Sequence, residues 1–258
     1  MPRFHCPIDL HPGELLSLPS SAVRHVQVLR LQPGDEVTLF GAWSDRPGTG
    51  EAGAGNLEYQ AIVQTMGRDQ VLVRVGPRRA VSREPTLSVH LVFGVPSADR
   101  MDWLVEKAVE LGVASIQPLI TERSVLRLQG ERAQKKLRHW QAIAVAACEQ
   151  SGRNTVPPLH EICDFGTWMQ GLASAEAARP RWLLSPLAPE ASLRKEELGL
   201  EQSGMSSLLA LSGPEGGLTP REELACQQAG FATVSLGPRV LRADTAPLAL
   251  LARLTLGR

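Results

Sequence analysis

A mostly parallel α/β sheet with helices on both faces, preceded by a small β-barrel, is the fold class that this 258-residue chain predicts. Three observations carry it. From Leu87 onward short apolar runs alternate with helix-like periods, the pattern of a sheet assembled from βα units. Residues 1–76 lack that alternation and read as short β-branched runs parted by glycine turns. Near the C-terminus two apolar runs stop at glycine-bearing turns, which is how open α/β sheets expose bare main chain at their carboxyl edge. The organisation expected is residues 1–76 as a β domain, 77–86 as a linker and 87–258 as the α/β domain.

Composition narrows the function classes. With 43% hydrophobic and 21% charged residues the chain is an ordinary globular protein. Its 27 basic residues balance 27 acidic ones, so no overall field attracts nucleic acid and any such affinity must come from local patches. Only Lys107, Lys135, Lys136 and Lys195 of those 27 are lysines; the rest are arginines, whose planar fork suits phosphates and base edges. Cys6, Cys148, Cys163 and Cys226 are far apart, with no C-x-x-C and no H-E-x-x-H, so neither a zinc site nor a disulfide framework is signalled. Reduced thiols follow, and no apolar run approaches the ~20 residues of a membrane span. A cytoplasmic protein with no metal and no membrane partner is expected.

In the β domain Glu36–Phe40, Leu57–Val63 and Gln70–Val75 read as strands and His25–Arg30 as a short helix. Gly41 to Asn56, rich in glycine, reads as a long hairpin loop. Pro77 to Pro85 is a proline-flanked arginine cluster without apolar periodicity, hence a linker. In the α/β domain the expected order is strand Leu87–Val95, helix Asp99–Leu111, strand Ser115–Ile120 and helix Gly130–Gln150. Asp99 is placed to cap the first helix and Gly112 to end it. The second helix and its approach carry Arg127, Arg132, Lys135, Lys136 and Arg138 against Glu131, the most basic stretch of the chain. That helix stops at Gly152 and Pro157, leaving Glu149, Gln150 and Arg153 at its end. Asp164–Leu172 reads as a helix, Arg181–Ser185 as a strand, and Ala246–Leu256 as the last helix, with Asp244 or Thr245 as cap and Pro247 in its first turn.

The two glycine turns are Ser212-Gly213-Pro214-Glu215-Gly216-Gly217 and Leu236-Gly237-Pro238-Arg239-Val240-Leu241-Arg242. Taken singly, either is as well explained by positive φ in a tight turn as by a ligand. Together, with Arg239 and Arg242 at i and i+3, they favour a site that holds one nucleotide-sized ligand by main chain. No G-x-G-x-x-G fingerprint and no G-K-[ST] loop is present, which argues against a dinucleotide enzyme or a nucleotidase.

These turns, with Ala98 to Val113, Thr121-Glu122-Arg123-Ser124-Val125 and the Glu149-Gln150…Arg153…Pro157 pattern, resemble the ribosomal RNA small subunit methyltransferase E family, the 16S rRNA uracil-N3 methyltransferases of the SPOUT class. The resemblance implies a trefoil-knotted α/β domain after a PUA-like RNA-binding barrel, a homodimer, and 16S rRNA or the 30S subunit as partner. It implies S-adenosyl-L-methionine as cofactor, held by Leu211, Gly213, Pro214, Glu215, Gly216 and Gly217 from one turn and Leu236, Gly237, Val240 and Leu241 from the other. Arg239, Glu149 and Arg153 become the catalytic candidates, and Arg100, Arg123, Gln150 and Arg242 the candidates for holding RNA. Ser97 stands where many members carry lysine. Methyl transfer is an in-line displacement that needs placement more than a nucleophile on the protein. The uracil N3 proton must leave, and the residues leave two routes open: an arginine stabilising the anion, or a carboxylate such as Glu149 accepting the proton. A SPOUT enzyme acting on another RNA and a non-catalytic ribosome-assembly factor are the alternatives.

Overall fold

The computed structural model describes residues 1–41, 56–174, 179–186 and 206–256. The interior of the expected hairpin loop lies outside them. The chain forms two compact units, Met1–Glu84 with Val145–Val156, and Pro85–Ala144 with Pro157–Arg258.

The first unit is a curled half-barrel of five strands: β1 (Arg3–His5), β2 (Leu15–Ser17), β3 (Glu36–Phe40), β4 (Leu57–Met66) and β5 (Val71–Ala80), in the order β1-β3-β4-β5-β2. Helix α1 (Ser20–Val28) begins earlier than its periodicity suggests. Alternate residues Tyr59, Ala61 and Val63 of β4 and Val71, Val73 and Val75 of β5 point inward, where they meet Phe4, Leu39 and Ala22, Val23 and Val26 of α1. The expected linker starts later than residue 77. β5 continues through Pro77, Arg78 and Arg79 because Leu57, Glu58 and Tyr59 of β4 pair with Ala80, Arg79 and Arg78. Glu58 receives Arg3 at 2.7 Å and Arg83 at 3.1 Å. Burial pushes its carboxyl up, but the bonds and charges of the two arginines outweigh that and hold it below the usual carboxylate range.

The second unit holds a six-stranded sheet in which every pairing is parallel: β6 (Ser88–Gly94), β7 (Ser115–Ile120), β8 (Cys163–Asp164), β9 (Arg181–Leu184), β10 (Ser207–Ser212) and β11 (Ala232–Val234), in the order β11-β9-β10-β6-β7-β8. The helices are α2 (Ala98–Glu110), α3 (Gly130–Ser151, whose last turns belong to the first unit), α4 (Phe165–Ser174), α5 (Pro220–Gln228) and α6 (Thr245–Thr255). Val92, Leu119, Leu183, Leu209 and Leu211 cover one face with Phe165 and Trp168 of α4 and Cys226 of α5. The intervening residues Leu91, Phe93, Trp182, Leu208 and Ala210 are equally buried, so the opposite face is covered too. α6 packs on both α2 and β10, and Met101, Leu104, Leu250 and Leu251 are all buried. Trp140 of α3, fully buried, donates Nε1 to Asp102 of α2 at 2.9 Å.

The expected cap of α2 needs correction. Ser97, not Asp99, occupies the N-cap position, without a side-chain cap, and Asp99 sits inside the first turn. Gly112, at φ +83°, ends the helix as its position suggests.

Candidate active site

The site is built by strand register. Phe93, Ser212, Leu184 and Val234 lie side by side across β6, β10, β9 and β11, so β9, β10 and β11 end level and β6 runs one residue further. The next residues, Gly94, Gly213, Ser185 and Ser235, therefore open onto one edge. β10 and β11 flank β9, which puts the two glycine turns about 10 Å apart, two strand spacings. Between them lies a cavity of about 680 Å³, within the size range of small-molecule sites.

The first turn, residues 213–218, is held by its neighbours. The amide of Gly217 donates to the Pro214 carbonyl at 2.8 Å, and Gly217 adopts φ +68°. Pro214 lies so close to Gly94 that a Cβ there would come within 2.5 Å of its ring. The Glu215 carboxylate accepts the Ser97 amide at 3.0 Å, at the amino end of α2, where a negative charge is favoured. Arg123 donates to the carbonyls of Gly216 at 2.9 Å and Leu218 at 3.3 Å. Glu222, only 4% exposed, accepts the Glu122 amide through Oε1 at 2.9 Å, and the Thr219 amide and hydroxyl through Oε2 at 2.8 and 3.1 Å. One carboxylate thus caps α5 and ties the turn after β7 to the turn after β10. Nothing in the sequence marked Glu222 beyond its place three residues after Thr219, because its long-range partner lies 100 residues away.

The second turn is pinned at its entry, where the Ser235 hydroxyl accepts the Gly237 amide at 3.2 Å and donates to the Gly237 carbonyl at 3.1 Å. Gly237 stands at φ +114°, and a Cβ on Gly217 or Gly237 would meet no atom within 4 Å, which leaves an open cradle over bare main chain.

Most of the sequence candidates line this cavity: Arg100, Arg123, Gly213, Pro214, Glu215, Gly216, Gly217, Leu236, Gly237, Arg239, Val240, Leu241 and Arg242. Among the described residues the side chains of Arg100, Arg239 and Arg242 have no ion-pair partner. Leu211 lies in the core beneath the turn, 1% exposed. Leu183, Leu184, Ser185 and Pro186 also line the cavity, a contribution from the end of β9 that the sequence pattern gave no reason to single out.

Glu149, Gln150 and Arg153 fall in the first unit, outside the residues lining the cavity. Glu149 accepts the His5 amide at 3.0 Å and meets His25 Nδ1 at 3.1 Å. Arg153, 3% exposed, makes a two-pronged contact with Glu84, while Asn154 beside it takes Arg3 and donates to the Val81 carbonyl at 2.9 Å. Gln150 is exposed. Burial pushes the thiols of Cys6, Cys148 and Cys226 up to about 12, so none of them is a thiolate nucleophile at neutral pH. Among the described residues no group of three metal-ligating side chains is present, and no helix is long and apolar enough to cross a membrane.

A level parallel sheet edge with two main-chain turns and an arginine-lined cavity suits a small-molecule ligand, and the class is that of RNA methyltransferases: the family model described as an RNA methyltransferase domain matches residues 82–255. The Ribosomal RNA small subunit methyltransferase E of Bacillus subtilis is 30% identical over 241 residues, covering 93% of this chain and 89% of that one. The crystal structure of the Neisseria gonorrhoeae protein of the same name, bound to S-adenosyl methionine, is 35% identical, with a TM-score of 0.83 over 98% of this chain and 96% of that one. A Legionella pneumophila protein solved with that cofactor is 32% identical with a TM-score of 0.81, over 98% of this chain and 96% of that one. The chain belongs to the ribosomal RNA small subunit methyltransferase E family.

Proposed function

We propose that the protein transfers a methyl group from S-adenosyl-L-methionine to N3 of a uridine in 16S ribosomal RNA. The observation that carries this is the cavity of about 680 Å³ between two immobilised main-chain turns, with Arg239 and Arg242 on its wall. The residues present fit the cofactor. Amide and carbonyl groups around Gly213–Gly217 and Leu236–Leu241 supply hydrogen bonds, the glycine cradles admit close approach, and Leu184, Val234 and Leu236 offer apolar contact for a purine. When bound, the cofactor supplies an electrophilic methyl on a sulfonium.

The remaining chemistry falls to the chain. Arg123, Glu215 and Glu222 keep the first turn in one geometry, so that the reacting groups meet in line without a further search of conformations. Loss of the N3 proton to solvent water leaves negative charge on the uracil, and the guanidinium of Arg239 is our choice for the group that stabilises it. Glu149 and Arg153 we read as supports of the first unit, since both have committed protein partners. The trefoil threading, the PUA-like role of the half-barrel in RNA binding, a cytoplasmic location and the 30S subunit as partner are carried over from the family resemblance.

Mapping modified nucleosides in small-subunit rRNA from a deletion strain tests the activity: a single missing N3-methyluridine, restored by complementation, is expected, and an unchanged map sinks it. Calorimetric titration with S-adenosyl-L-methionine separates the enzyme from a bare assembly factor, because a folded protein giving no heat supports the latter. Gly216→Val is expected to weaken cofactor binding at least about tenfold, since its Cβ would lie 3.1 Å from that of Arg123 and a branched side chain must displace the turn. Wild-type affinity in that variant would show that this turn is not the pocket.

We also propose a homodimer. The packing face of α6, Leu248, Leu250, Leu251 and Leu254, is buried within a single chain, but Val240 on the cavity wall is 81% exposed. Light scattering is expected to give twice the 27.9 kDa of one chain, and a monomer mass at micromolar concentration counts against it.

A further inference from the structure

Helix α3 carries its positive charge in its first half, where its own backbone offers no compensation. Arg132, Lys135, Lys136 and Arg138 all lie in its first half, with Glu131 as the acid of the first turn, and its last turn holds no basic residue. The amino end of a helix bears partial positive charge that fades beyond the first turn, so Arg132 opposes the dipole and the other three cations gain nothing from it. Nor are these charges neutralised. Among the described residues none of the four makes an ion pair, whereas Lys107 on α2 is held by Glu106 and Glu110 at 2.7 Å each. Arg132, Lys135 and Arg138 are exposed and Lys136 is half-buried. The spacing of Arg132, Lys135 and Lys136 puts these three on one helix face.

The turn that leads into this helix touches the cavity wall, while the helix itself starts beside the ends of β7 and β8. β7 ends at Ile120, and the turn after it delivers Arg123 to the cavity wall. Arg127 reaches back to the Glu122 carbonyl at 3.4 Å, and α3 starts three residues further on at Gly130. A helix that follows a parallel strand begins at the carboxyl edge of the sheet, the same edge onto which both glycine turns open. A file of cations thus leads away from the cavity wall, on a protein whose net charge is zero.

We propose that the first three turns of α3, through Arg132, Lys135 and Lys136, are a track for the phosphodiester backbone of the RNA that flanks the nucleotide held in the cavity. The track rests on the RNA methylation proposed above. It positions the strand and reads no sequence, as phosphate contacts do. Each phosphate neutralised releases counterions, so each side chain contributes to the salt dependence of binding, about 0.7 in the slope of log K against log salt for single strands.

The test is the triple variant Arg132→Gln, Lys135→Gln, Lys136→Gln, assayed by filter binding to a 16S rRNA transcript across a salt series, and by methylation of small subunits from the deletion strain. The expected result is about tenfold weaker binding at 0.1 M salt and a slope flatter by about 2. KM for subunits should rise with kcat at saturation retained, while cofactor affinity and thermal unfolding stay as in the wild type. Arg221→Gln, which removes an exposed cation from α5, should leave the slope alone. Wild-type affinity and slope in the triple variant overturn the track even if the enzyme methylates rRNA normally. A wild type that binds RNA with a salt slope lost in the variant, yet transfers no methyl group, sinks the proposed reaction and leaves the track standing.

Discussion

Arg239→Ala is expected to lower the rate of methyl transfer to small subunits by about 10² to 10³ with no loss of fold, the scale seen when one preorganised donor to a developing anion is removed. Three features lead to that figure. Arg239 lines the cavity, it sits two residues after the Gly237 bend, and among the described residues no carboxylate neutralises it. Because its side chain is exposed, truncation removes no core packing, and the unfolding transition should stay where it is. The loss should appear in kcat at saturating cofactor rather than in cofactor affinity, since the charge it answers exists only once the uracil proton departs. Arg239→Lys should recover only part of the rate, as an ammonium keeps the charge but not the fork. Turnover within threefold of wild type in Arg239→Ala would remove Arg239 from the catalytic assignment.

The largest expected effect on stability comes from Glu84→Ala. Arg153 is 3% exposed and faces Glu84 through two nitrogens, with Nε to Oε1 at 3.0 Å. Removing the carboxylate takes its two-pronged partner from a buried guanidinium, a change that costs about 3–5 kcal/mol in fully buried pairs. The Glu84 side chain retains 24% exposure, so water offsets part of the loss and about 3 kcal/mol is expected from urea unfolding. Replacing both partners, Glu84→Leu with Arg153→Met, should restore most of it, because the double variant has no charge left to bury at that place. This pair also separates two roles for Arg153. As a support, the double variant methylates at near wild-type rate where it is folded. A rate lost in a stable double variant would instead put Arg153 on the substrate.

Much of the fold was legible because its signals are short-range. Alternation of apolar residues with period 2 or 3.6 and glycine at chain stops placed β3 at Glu36–Phe40, β7 at Ser115–Ile120 and α3 from Gly130, within a residue of where they fall. The two glycine turns were legible for the same reason: bare main chain at a strand end has a local sequence mark, and both turns line the cavity. What failed was what depends on a partner. The arginine cluster at 77–80 has no periodicity, yet it is strand because β4 offers a ladder to pair with. Ser97 begins α2 where Asp99 seemed the better cap, because the Glu215 carboxylate, 118 residues on, satisfies its amide.

The sequence by itself determined the class of fold, the carboxyl edge of a sheet as the place to look for a ligand, and the residues of the two turns, since each follows from local patterning and turn chemistry. Only the tertiary structure decided that Glu222 and Arg123 lock the first turn, that β9 completes the cavity wall, and that Glu149 and Arg153 sit in the first unit with His5, His25 and Glu84. Those contacts join residues tens to more than a hundred positions apart, and their existence depends on packing and register, which no local window of sequence encodes.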